Sequence, residues 1–100
     1  MSAQKIYKIV WLKKALCNFD DEITYIAKDD LQAARQVAKR ILQAVDLLAT
    51  HPSMGVVGRI HGTRELIVAG TRYILPYRVS GSEIRILRVF HASRKSPIRW

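Results

Sequence analysis

One stretch of the sequence concentrates the side chains that could do chemistry. Residues 63–94 contain six arginines and one histidine, His91, within runs rich in branched and aromatic residues. A guanidinium group presents planar donors that can hold a phosphate at two points. Imidazole has an ordinary pKa of roughly 6.5, so it can take up or release a proton near neutral pH. These residue types suit metal-independent chemistry on a phosphodiester.

Metal-independent cleavage of RNA makes three demands on a protein. The 2′-hydroxyl must lose its proton, charge on the phosphate must be stabilised, and the leaving oxygen must be protonated. Arginines can meet the second demand and His91 is the natural acid or base. His61, Glu65 and Lys95 are weaker acid or base candidates. A structural hydrogen bond is the competing role for His91, and surface charge or an ion pair, for instance with Glu65, is the competing role for the arginines.

Three predicted strands position these residues. The runs 64–68, 72–79 and 83–91 are separated by short turns around Gly70 and Gly81, a pattern typical of an antiparallel meander. Simple alternation divides the last run between two faces. One face would hold Ile84, Ile86, Arg88 and Phe90, and the other Arg85, Leu87, Val89 and His91. One face can pack on the core while the other meets a partner.

The first half of the chain predicts a strand followed by two helices. Residues 5–11 carry apolar side chains on both faces, which predicts a strand inside the sheet. Apolar positions at helical spacing predict helices over residues 12–27 and 31–50, the first with a stripe that includes Leu16. Asp30 is the expected N-cap of the second helix. The prediction is one α+β domain over residues 1–100, with an antiparallel helix hairpin on one face of a four-stranded sheet.

Composition excludes several classes of site. A single cysteine, Cys17, rules out an internal disulfide and a multi-cysteine zinc site. The glycines of residues 53–62 match neither a P-loop nor a dinucleotide fingerprint, so no cofactor is expected. The acidic run of Asp20, Asp21 and Glu22 predicts a solvated helix surface and no metal site, because consecutive helical residues diverge by about 100°. No apolar run is long enough to span a membrane, and a soluble cytoplasmic protein is expected.

The positive charge is concentrated in the second half of the chain. Residues 1–50 carry eight basic and six acidic side chains, a net charge of +2, whereas residues 51–100 carry nine and two, a net charge of +7. Such a field favours nucleic acid or an acidic protein as partner. Candidate contacts to that target are Arg59, Arg88, Arg94 and Lys95. A basic surface that serves solubility is the alternative.

Taken in order, the elements and several short motifs resemble the RelE/ParE superfamily of type II toxin-antitoxin toxins. The resemblance covers nearly the whole chain. Residues 1–55 contribute Val10-Trp11, Ala15-Leu16, Tyr25-Ile26-Ala27, Ala33-Ala34 and His51-Pro52 with Gly55. The second half contributes Gly58-Arg59, Gly62-Thr63-Arg64-Glu65-Leu66, Tyr73, Tyr77-Arg78, Ile86-Leu87-Arg88-Val89, His91 and Arg94.

The resemblance implies a toxin that is neutralised by a cognate antitoxin, whose C-terminal segment wraps around it and folds on binding. RelE-like members cut mRNA on the ribosome, and ParE-like members inhibit DNA gyrase. Ribosome-dependent mRNA cleavage is expected here, with gyrase inhibition as the alternative and a non-toxic basic binding module as the second alternative. By resemblance the catalytic residues would be Arg64, Arg78 and His91. RNA-cleaving relatives commonly carry a tyrosine near that histidine, and this chain has none after Tyr77.

Overall fold

Two helices lie against one face of a mixed sheet. The computed structural model describes residues 4–94 and 99–100, so the candidate Lys95 lies outside the described residues. The elements are β1 (Lys8–Trp11), α1 (Lys13–Asp29), α2 (Leu31–Leu48), β2 (Val56–Val57), β3 (Arg64–Ile67), β4 (Tyr73–Ser80), β5 (Glu83–Ile86) and β6 (Phe90–His91). The predicted α+β class and helix hairpin are confirmed. Neither α1 nor α2 is long and apolar enough to cross a membrane, and no other described segment is helical.

A single residue, Asp30, separates the two helices. Its extended backbone stops α1, and its N–H donates to the Ile26 carbonyl over 3.0 Å. Its carboxylate accepts from the backbone N–H of Ala33 at 3.0 Å, which satisfies one of the orphan donors in the first turn of α2. The predicted N-cap is confirmed. Because one residue joins the helices, they run antiparallel and pack side by side.

The buried side of α2 agrees with its periodicity, and that of α1 agrees except at Leu16. In α2 the core positions Ala34, Val37, Ile41, Val45 and Leu48 step by three and four residues as predicted. In α1 the predicted Leu16 is exposed, and the neighbouring Ala15 is fully buried instead. The predicted stripe residues Phe19 and Ile26 pack against the core, and the buried Glu22 lies between them on the same side of the helix.

The sheet has the order β1-β5-β4-β3-β2, with β6 also paired to β4. β1 runs parallel to β5 and forms an edge, so the predicted interior position of this strand is wrong. Trp11 and Ile9 pack on the core from one face of the strand, while Lys8 is exposed. The sheet has six strands where four were predicted, because β2 was not predicted and the predicted strand 83–91 is divided into β5 and β6.

Pro76 lies in β4 at the centre of the sheet, where proline removes a ladder donor. Its carbonyl accepts from the Leu87 N–H at 2.9 Å, but it has no N–H to return to the Leu87 carbonyl. The Arg88 guanidinium donates to that carbonyl at 2.7 Å and so replaces the missing donor.

A bulge follows directly after this proline. Ile86 pairs with Tyr77 and Phe90 pairs with Ile74, so residues 87–89 lie opposite only residues 75 and 76. One extra residue reverses the alternation of every side chain that follows. His91 therefore shares the helix-bearing face with its partner Tyr73, and Phe90 turns to the open face. The alternation predicted for residues 83–91 is correct only as far as Ile86.

We expect the contributions of Pro76 and Arg88 to the free energy of unfolding to depend on each other. Arg88→Met should lower the free energy of unfolding by about 1–3 kcal/mol, because the Leu87 carbonyl loses its side-chain donor. Pro76→Val restores a backbone N–H opposite that carbonyl, so Arg88→Met should cost less in the valine background. Urea denaturation of the four proteins in this double-mutant cycle measures the difference. Equal costs in both backgrounds would show that Arg88 does not substitute for the proline.

Candidate functional site

The three predicted catalytic residues lie at different ends and faces of the sheet. Arg64 pairs with Tyr77 and shares its helix-bearing face, whereas Arg78 is on the open face. His91 pairs with Tyr73, five positions along β4 from Arg78. At a rise of about 3.4 Å per residue, that separation is about 17 Å. The fold does not bring these residues together in one site.

His91 belongs to a cluster that forms where β6 meets α1. Its ring stacks edge-on against Tyr73, with centroids 5.2 Å apart and planes at 88°. The Ser93 backbone N–H donates to Nδ1 over 3.2 Å, and the Ser93 hydroxyl lies 2.7 Å from the same atom. Because a backbone N–H can only donate, Nδ1 acts as acceptor and the proton of the neutral ring resides on Nε2.

Glu22 is the centre of this cluster and was missed by sequence reasoning. Its carboxylate accepts from the Tyr73 hydroxyl at 3.1 Å and forms an ion pair with Arg94 at 3.0 Å. The prediction of a solvated side chain at this position is wrong, because Glu22 is buried. Glu22 lies three residues after Phe19 and four residues before Ile26, and this spacing places it on the same buried side of the helix.

The carboxylate of Glu22 also changes the acidity of its neighbour. Burial, together with the hydrogen bond and charge of Glu22, raises the pKa of Tyr73 from its ordinary value to about 12. An open cavity of about 410 Å³ adjoins these groups between the helices and the β3–β4 turn. Its polar lining includes Glu22, Arg72, Tyr73, His91, Ser93 and Arg94.

Arg64 and Tyr77 hold the loop that follows α2. Arg64 donates to the Gly55 carbonyl at 2.9 Å. The Tyr77 hydroxyl donates to the Pro52 carbonyl at 2.8 Å and accepts from the Gly55 N–H at 2.9 Å. Burial raises the pKa of Tyr77. A Cβ at Gly55 would come within 2.6 Å of the Tyr77 ring, so only glycine fits against it. Arg64 therefore has a structural role that the sequence did not reveal.

Arg78 presents a different environment on the open face. It lies directly opposite Arg85, and both side chains are exposed. Two like charges opposite each other destabilise a sheet unless other groups compensate. Glu83 approaches Arg85 at 3.9 Å. The positive φ of 79° at Gly62 brings the loop before β3 close to the Arg78 guanidinium.

The predicted target contacts Arg59, Arg88 and Arg94 all have partners within the chain. Arg59 makes two side-chain hydrogen bonds of 2.9 Å to the Glu65 carboxylate and donates its backbone N–H to it at 2.8 Å. Glu65 was a possible partner for Arg64, but it pairs with Arg59. Burial would raise the pKa of Glu65, yet the hydrogen bonds and charge of Arg59 outweigh it and lower that pKa.

The ion pair between Arg59 and Glu65 belongs to a group of side chains that covers part of the open face of the sheet. The Arg59 guanidinium lies 5.3 Å from the Phe90 ring centroid and 5.7 Å from that of Trp100. Arg88 donates to the Trp100 carbonyl. Within residues 4–94 and 99–100, no three His, Cys, Asp or Glu side chains gather closely enough to hold a metal ion.

The raised pKa of Tyr73 predicts a loss of stability at high pH. The unfolded chain ionises this tyrosine near pH 10, whereas the folded chain keeps its proton up to about pH 12. The contribution of Tyr73 to the free energy of unfolding is therefore fully present below pH 10, and it is lost as the pH rises toward 12. Wild type should lose about 2 kcal/mol more than Tyr73→Phe over that interval. Urea unfolding of both proteins from pH 9 to 11.5 measures this, and parallel losses would contradict it.

Comparison with known proteins places this arrangement in a family. Residues 9–96 match the family model described as the ParE toxin of type II toxin-antitoxin system, parDE. The protein Y4kP of Sinorhizobium fredii, whose name marks it as a candidate toxin, is 47% identical over 90 residues, covering 90% of this chain and 93% of the relative. Toxin RelE2 of Caulobacter vibrioides is 32% identical over 87 residues, covering 87% and 97%.

A solved structure shows the same fold. A chain from the chromosomal ParDE TA system of P. aeruginosa superposes with a TM-score of 0.79 at 23% identity, covering 89% of this chain and 99% of that one. The sequence match spans most of the chain, and the relatives are matched over nearly their full length. The chain therefore belongs to the ParE toxin family of type II toxin-antitoxin systems, within the RelE/ParE superfamily that its motifs resemble.

Proposed function

We propose that this toxin acts by binding and inhibiting DNA gyrase, without cleaving RNA, and that a cognate antitoxin keeps it inactive. The observation that carries the proposal is the separation of Arg64, Arg78 and His91 in the sheet. Acid-base catalysis requires groups within about 3 Å of the proton they transfer. Arg78 and His91 lie on opposite faces of the sheet, at backbone positions about 17 Å apart along β4, so they do not converge on one phosphodiester. Gyrase inhibition, the alternative implied by the resemblance, requires no such convergence.

The state of His91 also favours a protein that binds over one that cleaves. With the proton of the neutral ring on Nε2, its one available lone pair, on Nδ1, is engaged by the Ser93 backbone N–H. Its ring packs on Tyr73, which hydrogen-bonds the buried Glu22. His91 therefore fits a structural role in this cluster.

The antitoxin partnership draws support from charge and from the relatives. The structural neighbour is a ParDE toxin-antitoxin system, in which toxin and antitoxin form a pair by name. Residues 51–100 of this chain carry a net charge of +7, from nine basic and two acidic side chains. A partner segment with acidic side chains would gain electrostatic attraction and a faster association with this half. Such a segment would wrap the toxin by folding on binding.

Two assays on the purified toxin separate the possible activities. We expect inhibition of gyrase supercoiling that rises in proportion to the toxin-to-gyrase ratio, because a binder acts by occupancy. We also expect a translating extract to show no primer-extension stops within codons. His91→Ala should inhibit gyrase within about twofold of wild type, provided that circular dichroism shows it folded.

Other results would contradict the proposal. Stops within codons that disappear in Arg78→Ala and His91→Ala would establish RNA cleavage and reject a purely binding toxin. Regulated expression without growth arrest, and without effect on either assay, would instead support the non-toxic binding module. Addition of the cognate antitoxin should relieve the inhibition of gyrase, and failure to do so would reject neutralisation by that partner.

A further inference from the structure

The cavity beside His91 combines apolar and polar lining. It has a volume of about 410 Å³ and opens between the two helices and the β3–β4 turn. Its apolar lining comes from Ile26 of α1 and Val37 of α2, together with the exposed ring of Tyr25. A cavity of this size, lined by apolar side chains and a few polar groups, is characteristic of small-molecule sites.

The charged groups of the lining leave one positive charge without a partner. Glu22 and Arg94 form an ion pair at 3.0 Å, so their charges cancel. Within residues 4–94 and 99–100, no carboxylate forms an ion pair with Arg72, the third charged group of the lining. Residues 1–3 and 95–98 contain no Asp or Glu. The cavity therefore favours a ligand with a single negative charge.

His91 adds an uncharged hydrogen-bond donor to the same cavity. Its Nδ1 accepts from the Ser93 backbone N–H, which leaves the proton of the neutral ring on Nε2. The hydrogen bonds between His91 and the described residues all involve Nδ1, so the Nε2–H is available to a ligand. Because the ring is held edge-on against Tyr73, this donor has a fixed position.

The backbone that carries Arg72 is fixed by its neighbours. The Thr71 hydroxyl donates to the Val68 carbonyl at 2.9 Å and accepts from the Tyr73 N–H at 3.0 Å. The Arg72 carbonyl accepts from the Ala92 N–H at 2.8 Å, where the chain leaves β6. A site built on ordered backbone loses less conformational entropy when a ligand binds.

We propose that this cavity binds a small organic carboxylate. The carboxylate oxygens accept from the Arg72 guanidinium and from the Nε2–H of His91, and the apolar part of the ligand packs on the two helices. A guanidinium presents parallel donors that match a planar carboxylate. A phosphate monoester matches less well, because it carries nearly two negative charges at neutral pH and Arg94 is already paired with Glu22.

Benzoate and benzamide test the charge of the ligand. The two molecules have nearly the same shape, and only benzoate is an anion at neutral pH. In NMR titrations of the isotope-labelled toxin, benzoate should bind about fivefold or more tightly than benzamide, because only benzoate can form a charge-assisted hydrogen bond. The shifted signals should include those of Thr71, Arg72 and His91. Equal affinities, no binding of benzoate, or tighter binding of phenyl phosphate would overturn the inference.

A pair of arginine substitutions tests the unpartnered charge. Arg72→Gln should weaken benzoate binding by about fivefold or more and change benzamide binding by less than about twofold. Arg35→Gln removes an exposed arginine of α2 outside the cavity, and should change benzoate binding by less than about twofold. Both variants should keep the wild-type urea midpoint, because both side chains are exposed. Equal losses in the two variants would indicate a general effect of net charge and reject the site.

Two amide side chains at position 91 test the histidine donor. The amide of glutamine reaches about as far as Nε2 of histidine, whereas that of asparagine reaches only as far as Nδ1. His91→Gln should therefore bind benzoate about threefold or more tightly than His91→Asn. Equal affinities of these two variants, with both shown to be folded by circular dichroism, would reject His91 as a ligand-binding residue.

These measurements are independent of the proposed inhibition of gyrase, because they use the toxin alone. A toxin that binds no benzoate but inhibits gyrase would reject the carboxylate site and leave the proposed function intact. A toxin that binds benzoate through Arg72 but does not affect gyrase would have the opposite meaning. Loss of gyrase inhibition in Arg72→Gln, without benzoate binding by wild type, would identify an acidic side chain of the target as the occupant and overturn the inference.

Discussion

A proline at the centre of the sheet accompanies the irregular pairing of the last strands of this toxin. Pro76 cannot donate to its neighbour, and a central strand offers no solvent to replace the lost hydrogen bond. Two features follow at adjacent positions of the strand that pairs with Pro76. Arg88 donates to the orphaned Leu87 carbonyl, and the strand then bulges, so the predicted last strand becomes β5 and β6. The faces on which Phe90 and His91 lie are determined by this extra residue.

The bulge determines which side chains lie next to each other on each face of the sheet. By reversing the alternation, it brings His91 to the helix-bearing face, beside Tyr73 and the buried Glu22. It sends Phe90 to the open face, where Arg59 covers it. A regular strand would have placed His91 on the same face as Arg78, the arrangement that a shared phosphate site requires. The local register thus places on opposite faces two groups, Arg78 and His91, that the sequence suggests should cooperate.

The predictable parts of the structure depend on local patterns. Spacing between residues near each other in the chain predicts three observed features. They are the buried stripe of α2, the Asp30 cap and the meander. The edge position of β1 depends on a parallel pairing with β5, more than seventy residues away, which no local pattern encodes. Glu22 was misjudged because its acidic neighbours suggested a solvated surface, although its spacing matched the buried stripe. Pro76 within a strand pattern was a readable signal of irregular pairing.

The net charge of residues 51–100 overstates how many basic side chains are free to contact a partner. Arg59 and Arg94 neutralise buried carboxylates, and Arg88 serves the backbone around Pro76. These guanidinium groups could reach a target only by leaving carboxylates or a carbonyl unpaired, and that cost is comparable to the free energy of binding the target would return. Long-range attraction survives this pairing, because the field depends on net charge.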